Sequence, residues 1–482
     1  MFSKVALGTA VLIVSIGANS SLAEEPKADL NNVKHIIVIY MENRSFDNLF
    51  GFFPNADGIA SAGATKIQVD KNGRPYDFLP PAMEEIDHTG QFHVDLRFPD
   101  NLPNQPFNID AYVPINEKTG DPIHRFYHQQ AQIDGGLMDK FATYSNMGAL
   151  VMGYYDGSKT KLWKYAQHYM LADHFFHAAF GGSFLNHFWL ICACTPRYEN
   201  VPNTLRVADD LTAPLRGLPD QITPDGFAVN TLQPAFEPHN AKEPMLPPQV
   251  MTTIGDELTA KRVKWAWYAG GWAKAVKGEN VKHFQYHHQP FIYFDKYKPD
   301  TDGYKNLRDE DELTDAIKKG TEVPEVVFYK PVGDENEHPG YANIFDGDKH
   351  IGELLCNIEK SAIWSESIVI VTFDENGGYW DHVPPPKVDR WGPGVRVPTV
   401  IISPFAKKGF IDHTVYDTTA ILKLIETRHG LKPLGSRDEN SQDLRAALDF
   451  SDVNIKNDNR VCRPDDKPKS EAEPQTEPGP KP

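Results

Sequence analysis

Beyond its first two dozen residues, the sequence has no apolar run of the roughly 18 residues that a membrane-spanning helix needs. It is also short of basic residues, with 49 Lys and Arg against 66 Asp and Glu, for a formal net charge of −17. This deficit argues against a general nucleic-acid binder and gives no support to attachment on an anionic membrane. A small anionic substrate stays open, because a bound metal ion can outweigh the overall charge.

Cysteine is scarce as well. The four cysteines are too few for a disulfide scaffold in a chain of 482 residues. Cys192 and Cys194 are too close together for the usual zinc spacing and have no matching second pair, so we expect them in buried structure. The sequence leaves open any disulfide pairing among Cys192, Cys194, Cys356 and Cys462.

The two ends of the chain differ from its middle. Lys4, the apolar run Val5–Ile16 and Ser21-Leu22-Ala23 match a secretory signal peptide, which predicts cleavage after residue 23. We therefore expect a periplasmic or secreted protein that makes no stable insertion into a membrane. Residues 461–482 are dominated by Pro, Lys, Glu and Asp without an apolar anchor, which predicts a disordered tail.

Between these ends, apolar strand-like runs alternate with helical patterns, and this alternation predicts an α/β domain over residues 24–460. The strands are β-branched and continuous, which is typical of a sheet covered on both faces. Stretches rich in Pro, Gly and Asp predict loop insertions around 54–122 and 196–248. We expect strands near 33–40, 263–268, 325–329, 368–371 and 398–403, and helices near 46–50, 124–133, 138–150, 162–171, 184–192, 254–261, 351–360 and 418–429.

Two of the predicted strands run directly into acidic or amide side chains. Ile368–Val371 leads to Asp374-Glu375, and Val33–Tyr40 leads to Glu42-Asn43. In open α/β sheets, ligands collect at the carboxyl ends of the strands, and such an oxygen-rich set suits a divalent cation. Taken singly, Asp374-Glu375 is equally consistent with a structural turn, and Glu42-Asn43 fits a capping turn better than a ligand pair.

Further residues have the chemistry of phosphoryl transfer. Ser183 follows Gly181-Gly182 at the start of a predicted helix, where free backbone N–H groups favour a phosphate, although a serine here is more often a helix cap. A metal would lower the pKa of its hydroxyl, and histidines such as His338 or His287-His288 would bind phosphate or protonate a leaving group. Each histidine has a structural alternative, which we expect for at least three of His124, His128, His174, His177 and His187.

Four longer motifs resemble a known family. They are HIIVIYMENRSFDNLFG at 35–51, ENEHPG at 335–340, TFDENGGYWDH at 372–382 and VPTVIISPF at 397–405. Together they resemble the bacterial phosphoesterase family that contains phospholipases C and exported acid phosphatases, over about residues 33–435. The family is similar in fold to the alkaline phosphatase superfamily, which implies a central mixed, mainly parallel sheet flanked by helices on both faces.

The resemblance also implies residue roles. A divalent metal ion, whose identity it does not fix, would be held by Glu42, Asn43, Asp374 and Glu375, with Ser183 as both nucleophile and ligand. His338 matches a site histidine, and His124 with His287 or His288 matches others. GGSFLNH at 181–187, HRFY at 124–127 and HHQP at 287–290 look more like the acid phosphatase branch, since phospholipases C usually have threonine at the nucleophile.

The sequence therefore predicts an exported, metal-dependent phosphomonoesterase that acts on small phosphoesters through a phosphoryl-enzyme intermediate. One alternative is a phospholipase C or other phosphodiesterase that acts on a phospholipid. A second alternative is an exported binding protein with a degenerate site, which the intact Ser183, Glu42, Asn43, Asp374 and Glu375 set disfavours.

Overall fold

The structure is a computed structural model that describes residues 30–85, 90–208, 212, 214–451 and 460–462. The predicted signal peptide, residues 1–23, lies outside these described residues, as do residues 463–482 of the tail predicted over 461–482. Among the residues that the structure describes, no helix combines the length and apolar character needed to cross a membrane.

The described chain alternates between strands and helices. The strands are β1 His35–Met41, β2 Met83–Glu84, β3 His93–Val94, β4 Phe107–Asn108, β5 Gly153–Tyr154, β6 Met170–Ala172, β7 Phe175–Phe176, β8 Gln233–Pro234, β9 Met245–Leu246, β10 Trp265–Ala269, β11 Leu307–Asp309, β12 Val326–Lys330, β13 Ser367–Phe373, β14 Thr399–Ile402, β15 Phe410–Asp412 and β16 Tyr416–Asp417. The α-helices are α1 Phe46–Phe50, α2 Phe126–Ile133, α3 Lys161–His168, α4 Ser183–Cys192, α5 Ile254–Ala260, α6 Trp272–Ala275, α7 Glu310–Lys319, α8 Ile344–Lys360, α9 Thr419–His429 and α10 Ser436–Asn440.

Eight strands form one central sheet in the order β11-β10-β12-β1-β13-β14-β6-β15. All of its strand pairs are parallel except the two that involve β14. Every residue of β13 is buried, as is every residue of β1 after His35, so both faces of the sheet centre are covered. Helices α3, α7 and α8 form one packed group, and α4, α5 and α9 form another. The predicted mixed, mainly parallel sheet with helices is confirmed.

The helix predicted over 138–150 is wrong. This segment consists of turns followed by a 3-10 turn at Gly148–Met152. Met138 has a φ of +58°, which takes the chain out of the right-handed helical region at the start of the segment. The Gln68 side chain then bonds to Met138 O and Ala142 N, so a neighbouring loop satisfies backbone groups that a helix would have paired internally.

Two predicted helix bounds also differ from the structure. The helix predicted over 162–171 ends at His168, because the next residues form β6 and pair with β14 and β15. The helix predicted from residue 351 begins earlier, at Ile344, where the Asn343 side chain accepts a hydrogen bond from Asp346 N. Sheet pairing shortens the first helix, and a capping side chain lengthens the second.

All four cysteines form disulfides, whose pairing the sequence left open. Cys192 pairs with Cys194 at the end of α4, and Cys356 of α8 pairs with Cys462. Beside the second bond, the buried Glu359 carboxylate accepts hydrogen bonds from the backbone N–H groups of Val461 and Cys462. Residues 460–462 are therefore attached to α8 by both a covalent bond and hydrogen bonds.

The sheet centre yields a direct test of the fold. Ile370 of β13 is fully buried, so Ile370→Ala should lower the free energy of unfolding by about 2–5 kcal/mol through lost burial and the cavity left behind. Urea unfolding of both proteins measures the difference. Val415→Ala is the control, because Val415 is 51% exposed and its loss should change stability by about 0.5 kcal/mol or less.

Candidate active site

Three neighbouring parallel strands deliver charged residues to one point. Strand β1 lies between β12 and β13, and Met41 is in register with Phe373. Glu42-Asn43 and Asp374-Glu375 therefore leave the sheet side by side, and Asp374 N donates to Met41 O across 3.0 Å. Asn43 has a φ of +63° and its backbone N–H donates to Asp374 Oδ1 across 3.4 Å. The two acidic segments lie at adjacent strand ends, as predicted.

Ser183 is brought to the same place by α4. It is the first residue of this helix, and the preceding Gly182 has an extended backbone. Its Oγ lies 3.3 Å from Asn43 Oδ1 and 3.4 Å from Glu42 Oε2. The side chain of Ser183 makes no capping bond to its own helix, so its hydroxyl faces the strand-end oxygens instead.

The predicted site histidines surround this group. His124 Nε2 lies 3.6 Å from Glu375 Oε1, and His338 Nε2 lies 3.6 Å from Glu42 Oε2. His288 Nε2 lies 2.6 Å from Glu42 Oε1, while the ring centroid of His287 is 4.7 Å from that of His288. All four histidines border one pocket with Glu42 and Ser183. The structure thus brings together every residue predicted for the site.

The sequence analysis considered four further histidines, and the structure places one of them next to the site and the other three elsewhere. His187 lies next to the site, with Nδ1 2.7 Å from Ser183 O and 3.8 Å from Asp374 Oδ2. His177 is buried and its ring hydrogen bonds to Gln129 and Asn186. His128 borders a different pocket, and His174 belongs to a separate cluster described below.

One residue of the site escaped the sequence analysis. Lys330, the last residue of β12, is fully buried with its Nζ 2.6 Å from Glu42 Oε1 and 3.4 Å from Asp374 Oδ2. Its ammonium also donates to Met41 O across 3.2 Å. The sequence signal was present, because Lys330 directly follows a predicted strand just as Glu42 and Asp374 do.

The carboxylates here are held in an unfavourable setting. Burial, followed by the nearby Glu42, raises the pKa of Asp374 to about 7, while Lys330 acts in the opposite direction. Burial and then Asp374 raise the pKa of Glu375 well above its usual range. Burial lowers the pKa of His287 and of His288 well below the usual value, which keeps both rings neutral at pH 7. Lys330 offsets part of the charge that these carboxyls carry when ionised, so they would take up protons unless a further cation binds beside them.

The donor set fits a bound metal ion. Within the described part of the chain, the buried Glu375 Oε1 has no hydrogen-bond partner, and the other oxygen, Oε2, accepts from Gly377 N. A carboxylate oxygen buried without a partner is costly, and a cation would satisfy it. Carboxylate, amide and hydroxyl oxygens from Glu42, Asn43, Asp374, Glu375 and Ser183 are ligands that hard divalent cations prefer.

The pocket above this group has a volume of about 710 Å³. Its walls are mainly polar, and besides the site residues they include Asp121, Arg125, Asn146, Asn230, Thr231, Gln233 and Gln285. Three acidic side chains line it away from the strand ends, namely Glu85, Asp121 and Glu243. Burial and then Glu85 raise the pKa of Asp121 well above its usual range. The pocket suits a polar ligand, with Ser183 and the histidines at its wall.

A polar pocket at the carboxyl edge of a mainly parallel sheet, with a serine beside buried carboxylates, has the arrangement of a hydrolase active site. The sequence model of the Phosphoesterase family matches residues 33–432, which is most of the chain. The chain belongs to the Phosphoesterase family, a family of phosphoric ester hydrolases.

Curated relatives carry phospholipase C names. The chain is 23% identical to the non-hemolytic phospholipase C of Pseudomonas aeruginosa over 93% of this chain, and it spans only 62% of that protein. It is 24% identical to phospholipase C A of Mycobacterium tuberculosis, over 88% of this chain and 78% of that protein. It is 23% identical to non-specific phospholipase C1 of Arabidopsis thaliana, over 84% of this chain and 66% of that protein.

Solved structures show a more distant likeness. One is a protein in the alkaline phosphatase superfamily from Vibrio parahaemolyticus, with a TM-score of 0.34 and 10% identity over 70% of this chain and 75% of that chain. Another is a phosphonate monoester hydrolase of Agrobacterium radiobacter, with a TM-score of 0.32 and 7% identity over 83% of this chain and 74% of that chain. These scores support no statement about substrate.

Lys330 provides a test of the buried charges. Lys330→Met would leave Glu42 and Asp374 without their cation, so the metal-free protein should lose about 3–5 kcal/mol of unfolding free energy. Urea unfolding after chelation measures this loss, which should shrink when a divalent ion is restored. Lys319→Met is the control, because the Lys319 side chain is 68% exposed in its pair with Asp315. If the Lys330→Met variant and the parent were equally stable when both are free of metal, Lys330 would not be stabilising the buried carboxylates, and this account of their charges would be wrong.

Proposed function

We propose that this protein is an exported, metal-dependent phosphomonoesterase of the acid phosphatase type, with Ser183 as its nucleophile. The observation that carries the proposal is the position of Ser183. Its Oγ lies within 3.4 Å of both Glu42 Oε2 and Asn43 Oδ1, at the wall of the pocket and at the start of α4. A bound divalent ion would lower the pKa of this hydroxyl and offset negative charge that develops on the oxygens around phosphorus.

The chain's own residues then account for the two half-reactions. Ser183 Oγ attacks phosphorus from the pocket, a Ser183–phosphorus bond forms, and the bond from phosphorus to the leaving oxygen breaks. A pocket histidine, neutral at the start, takes up the proton that Ser183 Oγ loses and passes it to that oxygen, so an alcohol departs. Water next attacks the phosphorylated serine, and inorganic phosphate leaves as the hydroxyl of Ser183 is restored.

The contacts divide the four histidines into two groups. His288 is almost fully buried and its Nε2 contacts Glu42, so we assign it to orienting that carboxylate. His124, His287 and His338 border the pocket beside Ser183, and we assign them to phosphate binding and leaving-group protonation. The backbone N–H groups at the start of α4 add favourable interactions with phosphate oxygens.

A serine nucleophile and a mainly polar pocket favour a small phosphomonoester. The second candidate is a phospholipase C, and the names of the curated relatives favour it. The two candidates share the site and differ in the substituent that remains on phosphorus. A phosphodiester keeps one organic group there during attack, and that group would occupy the pocket.

Ser183→Ala tests the nucleophile. The variant should lose about 10³-fold or more of its turnover of p-nitrophenyl phosphate, because no other hydroxyl replaces the attacking oxygen. Its circular dichroism and melting temperature should match the parent. The control is Ser158→Ala, which removes an exposed hydroxyl outside the pocket and should leave turnover unchanged. An active Ser183→Ala protein would overturn the assignment.

Chelation tests the metal. Removing bound ions should abolish turnover, because the Lys330 ammonium, which contacts Glu42 and Asp374, does not offset the charge of Glu42, Asp374 and Glu375 together. Adding back one divalent ion should restore turnover. Elemental analysis before and after chelation identifies the ion. Full turnover by protein that elemental analysis shows to be metal-free would contradict metal dependence.

A substrate comparison separates the candidates. Metal-loaded protein should hydrolyse p-nitrophenyl phosphate with a kcat/KM at least ten times that for dispersed phosphatidylcholine. The reverse preference would make the protein a phospholipase C. Hydrolysis of neither substrate, nor of any other phosphoester supplied to the metal-loaded protein, would indicate a binding protein.

A further inference from the structure

A second group of metal-ligand side chains lies away from the pocket. Strands β6 and β15 are parallel, and their last residues, Ala172 and Asp412, are directly paired. The next residues along each strand therefore emerge together, which places Asp173 and His174 beside His413. None of the three borders the proposed catalytic pocket. The register of the sheet edge thus creates this cluster independently of the catalytic residues.

The three side chains converge on a small space. Asp173 Oδ1 lies 2.8 Å from His174 Nδ1, and Asp173 Oδ2 lies 2.8 Å from His413 Nδ1. One ligand atom from each residue lies within 4.8 Å of the other two. The Asp173 side chain is fully buried, that of His174 is 20% exposed and that of His413 is 61% exposed. The cluster is buried at its base and open to solvent on one side.

We propose that Asp173, His174 and His413 form a zinc-binding site at the surface of the protein. Both imidazoles would bind the ion through Nδ1 and Asp173 through its carboxylate, which leaves a fourth position for water. Ligand atoms of a tetrahedral zinc site lie about 3.3 Å apart, so the two nitrogen–oxygen contacts of 2.8 Å would have to lengthen by about half an ångström to admit the ion. Two imidazoles with one carboxylate favour zinc and related transition metals over Mg²⁺ or Ca²⁺.

Surrounding residues hold the proposed ligands in place. Asp57 Oδ2 lies 3.4 Å from His174 Nε2, so the second ring nitrogen of His174 faces a carboxylate, as is usual for metal-bound histidines. Asp57 N donates to Asp173 Oδ2 across 2.8 Å. Arg396 Nη1 donates to the backbone oxygens of both Asp57 and Asp173. The loop from α1 and the end of β6 are therefore fixed relative to each other.

Two similar clusters outside the pocket lack these properties. Asp47, Asp381 and His382 are buried, and the Arg396 guanidinium already contacts both carboxylates. In the group of Glu310, Glu335 and His350, the Tyr329 hydroxyl bonds to Glu310 and to His350. In the first cluster the Arg396 guanidinium already occupies the position that a metal ion would need, and in the second cluster the Tyr329 hydroxyl does so. The Asp173 carboxylate is instead paired with the imidazoles of His174 and His413, and imidazoles are themselves able to bind a metal ion.

Zinc stoichiometry of matched variants tests the proposal. After chelation, the parent, His413→Ala and His93→Ala are each dialysed against the same low concentration of zinc and measured by elemental analysis. His93 is the control because its side chain is 62% exposed and it pairs with a carboxylate, Glu84, far along the chain from the cluster. His413→Ala should bind one zinc ion fewer than the parent, whereas His93→Ala should bind the same number as the parent.

Thermal melting supplies a second readout. Zinc should raise the melting temperature of the parent and of His93→Ala more than that of His413→Ala, because the ion links β6 to β15. Turnover of p-nitrophenyl phosphate with the catalytic ion restored should be equal in all three proteins. Equal zinc content in the parent and His413→Ala would overturn the proposal and leave Asp173 with hydrogen-bonded histidines only. So would a rise in melting temperature with zinc that is equal in all three proteins.

Discussion

Everything at the candidate active site depends on one constraint, the burial of like charges at adjacent strand ends. The parallel register of β1 and β13 places Glu42-Asn43 directly beside Asp374-Glu375, inside a sheet whose two faces are both covered. Lys330 of β12 offsets part of this charge. Among the residues that the structure describes, none gives Glu375 Oε1 a hydrogen bond, and a cation would satisfy that oxygen. A bound cation is the simplest way to balance the remainder.

This constraint also explains how the rest of the pocket is built. Helix α4 directs its first residue, Ser183, at the oxygens that would hold the ion, and the histidines approach from loops that follow other elements. His288, His338 and His124 all border the pocket, and His288 makes the shortest carboxylate contact of the three, 2.6 Å to Glu42. The sheet supplies the charged centre, and the connecting segments supply the groups that would contact substrate.

Much of this arrangement was predictable because it depends on local pattern. The buried runs before Glu42 and Asp374 are strongly β-branched, and in a parallel sheet such runs must deliver their following residues to one edge. The segment 138–150 was mispredicted because its spacing of apolar residues resembles a helix, while a left-handed Met138 and the distant Gln68 decide its conformation. The position of Lys330 after a predicted strand was visible in the sequence, but its contacts with Glu42 and Asp374 depend on the order of the strands. The pairing of Cys356 with Cys462 depends on contact between distant segments, which spacing along the chain does not encode.

The central claim is that Ser183 carries the phosphoryl group during turnover. The most direct measurement is to stop the reaction of a phosphomonoester with acid, digest the protein and locate any bound phosphoryl group by mass spectrometry. The account predicts one phosphoryl group, on the peptide that contains Ser183, present only when substrate has been supplied. A phosphoryl group on a histidine, or rapid turnover with none on the protein at any quench time or pH, would contradict it.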